Sequence, residues 1–329
     1  MQQGSSAPLG RLAAPRGGNA TGGGERRPAT PPLAPPLAPR QGRRTIQRNV
    51  PIRIRFPDQA DSSCPRSIAV EACDGPCNIV DLGPTTFAKP FGITLLYGLI
   101  YQFRHQGESV RVLIPNSSVS RYLWRMNVHK PFENDTGVVF EPNLGLFPFT
   151  RWLQPRQLLE LSAVDVTSDD EVVGVEERIW GIISARAPQY APLKDQIRTA
   201  VVELISNVER HSRAGRATVI VQSFVDCVRI AVGDVGIGVR RSLERAHNLA
   251  GKPDHEVLRF ATEPGVTGSA FGGGTGLTTI VDAIRQNGRA VHLASGQGVY
   301  SVNRGSDEAH VARLVIPGTI VEVVFESPG

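Results

Sequence analysis

Residues 193–212 read Leu193-Lys-Asp-Gln-Ile-Arg-Thr-Ala-Val-Val-Glu-Leu-Ile-Ser-Asn-Val-Glu-Arg-His-Ser212. Ile197, Val201, Leu204 and Val208 recur at the helical period, so a helix over 193–211 buries that stripe. Glu203, Asn207 and His211 stand at i, i+4 and i+8 and share a second face. At 3.6 residues per turn that face lies roughly 100° from the apolar stripe, at the rim of the core. A carboxylate and an amide one turn apart can hold a hydrated Mg²⁺, which prefers oxygen donors and keeps waters. An ordinary polar helix face accounts for the pattern equally well on its own.

Three further motifs follow in order. Asp234-Val-Gly-Ile-Gly238 closes a strand, and its two glycines allow backbone to approach a planar ring. An aspartate there can accept a hydrogen bond from an exocyclic amine. Gly272-Gly-Gly-Thr-Gly-Leu277 opens a helix carrying Leu277, Ile280, Val281 and Ile284 on one side. Free N–H groups at such a helix start favour phosphate. No Gly-Lys-Ser/Thr follows, so it is not a Walker A loop, and its glycines do not fit the dinucleotide fingerprint. Pro317-Gly-Thr319 precedes an apolar strand, Ile320–Phe325, and the Thr319 hydroxyl stands ready for the same pocket.

In this order ELISNVERHS, DVGIG, GGGTGL and PGTIVEVVF resemble the N, G1, G2 and G3 boxes of the GHKL ATPases: gyrase, Hsp90, histidine kinases and MutL. The resemblance implies a Bergerat-type ATP site with Mg²⁺. Asn207 then matches the Mg²⁺ ligand. Glu203 matches the residue that helps hold the metal or orients water as a base. Asp234 matches the adenine anchor, with Gly236 and Gly238 as its supporting turn. Gly272, Gly274, Thr275, Gly276 and Leu277 match the lid and phosphate loop, and Thr319 the hydroxyl beside the adenine aspartate. Thr278 replaces a glycine common in the kinases. His211 sits where kinases often carry a histidine, and a structural role is favoured over phosphoryl transfer. No phosphoacceptor helix, receiver or sensor pattern and no transducer domain accompanies the motifs, so an ordinary self-contained sensor kinase is not expected.

Upstream, Ile52, Ile54 and Phe56 alternate with Arg53 and Arg55 as a short strand. Residues 79–82 read as a strand. GITLLYGLIYQFR, 92–104, reads as an amphipathic helix on Ile93, Leu96, Tyr97 and Ile100. A buried strand follows at 109–115 and a short helix at 119–128. Residues 79–130 resemble a STAS domain, the fold of anti-sigma-factor antagonists. Where that family often carries a phosphoacceptor hydroxyl, this chain has Lys89-Pro90-Phe91-Gly92, so docking or packing is expected of the module rather than phosphoswitching. Pro131, Pro142, Pro148 and Pro155 make 131–165 an irregular connection. Downstream, helices are expected from 169 to 186, near 239–249, near 254–262 and over 277–287. A hairpin is expected at 218–224 and 228–234, and strands near 290–295, 298–303 and 318–325.

The fold expectation is α/β plus α+β: a small STAS-like α/β module at 51–135, a connection at 136–165 and a Bergerat-type α/β sandwich at 166–329. Residues 1–50 form a tail with eight Arg against one Glu, eight Pro and eight Gly. Its composition cannot offset chain entropy by apolar burial. The net charge of +5 is therefore a tail property, and the other 279 residues carry −2, since the tail carries +7 and 5 − 7 = −2. That makes a nucleic-acid-binding core unlikely on charge grounds. No run of about 18 apolar residues occurs, so no membrane span is expected. Four cysteines are too few for a disulfide scaffold, which favours a reducing cytoplasm. Cys64, Cys73 and Cys77 lack a nearby fourth ligand, which disfavours zinc. The expected function is that of a cytoplasmic ATP-binding regulator in bacterial signalling, either a protein kinase or an ATP-driven switch, with a non-catalytic nucleotide-dependent regulator as the alternative. Expected partners are ATP and a protein: a STAS-type antagonist, a sigma-factor system or another signalling protein. A homodimer is also compatible with the family.

Overall fold

The central element is α2 (Pro90–His105), and its surroundings explain the architecture. The computed structural model describes residues 50–143, 159–268, 276–287 and 289–327. Ahead of α2 come β1 (Ile52–Arg55), β2 (Gln59–Ala60), α1 (Cys64–Ser67), β3 (Ala69–Ala72), β4 (Asn78–Asp81) and β5 (Phe87–Ala88). After it come β6 (Val110–Leu113), α3 (Ser117–Arg125) and β7 (Val138–Glu141). These strands form a sheet of order β3-β1-β4-β6-β7, parallel except for β3. The small β2–β5 pair lies apart from it.

The second half begins with β8 (Leu159–Asp165), α4 (Asp169–Arg186) and α5 (Lys194–Asn207). It continues with β9 (Arg216–Ser223), β10 (Cys227–Asp234), α6 (Gly238–Leu243) and α7 (Asp254–Ala261). It ends with α8 (Gly276–Asn287), β11 (Ala290–Asn303) and β12 (Ser306–Glu326). Its sheet is antiparallel throughout, in the order β11-β12-β10-β9-β8. Mixed α and β content with one mainly parallel and one antiparallel sheet is the architecture. On one face of the second sheet, Ile179, Ile183, Ile197, Val201, Ile280 and Ile284 from α4, α5 and α8 cover Val219, Ile230 and Val323. The other face packs on α2, with Ile220, Ala294 and Ile320 joining Phe91, Leu95 and Leu99 in one core.

Two expectations change here. The stretch 136–165 is not irregular throughout: β7 closes the first sheet and β8 is an edge strand of the second. The prolines mislead because Pro131 sits in a 3₁₀ turn and Pro142 falls just past β7; Pro148 and Pro155 lie outside the described residues. Helix α2 is not amphipathic. Phe91, Leu95, Leu99 and Phe103 are buried as well as Ile93, Leu96 and Ile100, because the helix is covered by sheets on both sides. A helix apolar all round is a buried one.

Helix α2 has no side-chain cap from its own N-cap, Lys89. The Phe91 N–H instead donates to Glu322 Oε1 at 3.1 Å, from β12. Glu322 is fully buried, and Arg229 Nη1 donates to its Oε2 at 2.8 Å. Burial pushes the Glu322 carboxyl up, and the Arg229 charge and the Phe91 amide oppose that. Removing one partner of a buried pair strands the other charge, at a cost of about 3–5 kcal/mol. Glu322→Ala should therefore lower the urea unfolding free energy by about that much. A loss below about 1 kcal/mol, the scale of an exposed pair, would contradict the capping role.

Candidate functional site

The expected motifs converge on one cleft, which encloses about 920 Å³ of space open to solvent. The end of α5 and the start of α8, which adjoin each other, form one side. The end of β10 and the adjoining part of β12 form the floor. Asn207, Asp234, Gly238, Gly276, Leu277 and Thr319 all line it. Glu203 reaches the α8 side, since a Cβ on Gly276 would lie 2.6 Å from Glu203 Oε2 and 3.4 Å from the Asn207 amide. The start of α8 therefore approaches that pair closely. Gly272, Gly274 and Thr275 lie outside the described residues.

Asp234 is the last residue of β10 and stands opposite Thr319 in the register with β12. It is 8% exposed. Its Oδ1 accepts from the Gly236 N–H at 2.7 Å. Burial pushes its carboxyl up to about 7, against the pull of the Gly236 and Thr319 amides.

The expected helix 193–211 is regular only to Asn207, and Val208–Ser212 widens into a π turn. Arg213 then takes a left-handed conformation, φ 61°, which reverses the chain. That turn ties α5 to the Asp234 loop, because the Ile237 N–H donates to Ser212 O at 2.8 Å. A Cβ on Gly236 would lie 2.0 Å from the same oxygen, so Gly236 supports the loop from behind. Gly238, at φ +75°, turns the chain into α6.

Ser295 is a tie that sequence reasoning missed. Its hydroxyl donates to Gly318 O at 2.6 Å and accepts from Val239 N–H at 3.0 Å, joining β11 to both the loop and the floor. No local pattern marks a partner 56 residues away. Arg210 was also missed: its Nη2 lies 3.4 Å from Glu203 Oε2 at the cleft edge. His211 lines the cleft, and burial, then Arg210 and Arg245, hold its pKa below the usual imidazole range. A neutral imidazole suits hydrogen bonding.

The Asn207 Nδ2 is buried with no hydrogen-bond partner. Buried polar atoms in native proteins are paired almost without exception, so an unpaired one inside a cleft marks a place for a ligand. Among the described residues, no helix is long and apolar enough to cross a membrane. No family model matches the chain, and no curated protein matches it.

The Asp234 shift fixes a pH dependence. An unfolded aspartate titrates near about 3.9, so between there and 7 the native state holds a proton that the unfolded state lacks. Its stabilisation is full below pH ~4 and is lost as pH rises through the folded pKa. From pH ~5 to ~8 wild type should lose roughly 3 kcal/mol relative to Asp234→Asn in urea unfolding. Parallel pH profiles for the two proteins would contradict the shift.

Proposed function

We propose that this chain is an ATP-binding regulatory protein. Its second sheet and helices form a Bergerat-type nucleotide domain of the GHKL class, joined to a STAS-like module. It acts as a Mg-ATP-dependent protein kinase or ATP-driven switch in bacterial signalling. The observation that carries the reading is the buried Asp234 carboxyl on the floor of a cleft whose walls are Asn207 and the start of α8. An adenine needs that chemistry: an acceptor for its exocyclic amine inside an apolar slot, here Val232, Leu243, Leu277 and Val321. Thr319 supplies a hydroxyl beside it.

The unpartnered Asn207 Nδ2 is a donor open to a phosphate oxygen. The Asn207 side-chain oxygen and the Glu203 carboxylate fit Mg²⁺, since that ion takes one or two protein oxygens and completes its shell with phosphates and water. Bound there, it would neutralise developing charge on the phosphates. Asn207 and Glu203 would hold it, and Glu203 would orient an attacking water or hydroxyl. The α8 start would face the phosphates with its free N–H groups. Nucleotide state would change the surface offered to a protein partner. A STAS-type antagonist or a sigma-factor system fits that role. The Lys89–Gly92 corner favours packing over phosphoswitching, because a carboxylate already occupies the Phe91 N–H.

Calorimetry with Mg-ATP tests the site. Wild type should bind, and Asp234→Asn should weaken binding by about a hundredfold, the scale of two lost hydrogen bonds. Equal affinity would sink the adenine assignment. Following the γ-phosphate of labelled Mg-ATP with candidate STAS proteins then separates the activities. Label on protein, lost in Glu203→Ala, identifies a kinase. Free phosphate, lost in the same variant, identifies a hydrolytic switch. Bound, unconverted ATP identifies the non-catalytic regulator.

A further inference from the structure

Helix α2 belongs to the first sheet's module, yet it runs directly behind the parts of β10 and β12 that carry the cleft floor. A Cβ on Gly233 would lie 2.3 Å from Thr94 Cγ2, so β10 and α2 are in contact through the missing side chain. One turn further along α2, a Cβ on Gly98 would lie 3.2 Å from Pro317 Cγ and 3.8 Å from Val235 Cγ1. Gly233 and Val235 flank Asp234 in sequence, and Pro317 stands two residues before Thr319. Residues four apart share a helix face, so one face of α2 backs both halves of the floor.

Thr94 is 2% exposed, and its hydroxyl donates to Pro90 O at 2.9 Å. That bond fixes the rotamer that presents the methyl to Gly233. The start of the helix is pinned by Glu322, which stands on β12 three residues after Thr319. Close-packed interiors transmit displacement instead of absorbing it.

We infer that Thr94 and Gly98 are positioning residues for the nucleotide base: the first module is the back wall of the ATP site, and it sets where the Asp234 carboxyl stands. This rests on the ATP reading above. By linkage, a partner that shifts α2 changes nucleotide affinity, and nucleotide changes the affinity for that partner by the same factor.

A size swap tests the inference. Gly233→Ala drives a methyl into Thr94 and displaces Asp234, and Mg-ATP affinity should fall about tenfold, the scale of one impaired buried hydrogen bond. Hydrogen exchange at the Gly236 amide, which donates to Asp234 Oδ1, should quicken. Thr94→Ser in the same chain removes the opposing methyl and keeps the hydroxyl. It should bring affinity and Gly236 exchange back toward wild type. Gly98→Ala is a milder push, against Pro317, and supplies the same readouts should Gly233→Ala fail to fold.

Wild-type affinity in Gly233→Ala, or in Gly98→Ala if that variant stands in for it, would overturn the inference. So would a double variant whose melting temperature recovers while its affinity and Gly236 exchange do not, since that is what a purely structural Thr94 would give. If wild type itself binds no Mg-ATP, the proposed function fails, and Gly236 exchange alone decides the positioning role: recovery in the double variant supports it and no recovery overturns it.

Discussion

A single buried carboxylate holds the two halves of this molecule in register. Glu322 projects from β12, accepts from the first turn of α2 and pairs with Arg229 on β10. A negative group at a helix N-terminus also meets the positive end of the helix dipole. An ionised carboxylate alone in this position would be costly, and the pairing removes most of that cost. The constraint is geometric as well as energetic. With its start fixed on β12, α2 lies along the face of the second sheet that turns toward the first, where its apolar residues on that side have cover.

The cleft follows from the same arrangement. Strand β10 ends at Asp234, beside Thr319 within the longer β12, and the chain must turn sharply after Asp234. Hydrogen bonds through Ser212, Ser295 and Gly236 stitch those turns to α5 and β11. The result is a rigid floor with one acidic group in a nearly dry place. Beside it stand the end of α5, with its Asn207 Nδ2 unpartnered, and the start of α8. Rigid floor and helix-end walls are what positioning of a charged, planar ligand requires.

Much of the second half was legible because its signals are local. The apolar stripe of α5, the short apolar runs of β9 and β10 and the glycines at 236 and 276 each report their own surroundings. The π turn after Asn207 was not legible, since Val208–Ser212 continues the helical pattern and only its tertiary contact with Ile237 bends it. The burial of α2 against two sheets was misread from one stripe of its sequence, although Phe91, Leu95 and Phe103 on the other side carried the information. Glu322 and Arg229 lie 93 residues apart, and no local pattern announces a cap supplied by another sheet. Strand β7 was hidden by Pro131 and Pro142, which flank it without interrupting it.

The proposed site brings three separate stretches of chain onto one nucleotide. Hydrogen exchange with and without saturating Mg-ATP reads all three at once. Protection should rise together at 203–212, 234–238 and 276–280, which meet at the cleft. Binding accompanied by protection elsewhere, with these three segments unchanged, would contradict it.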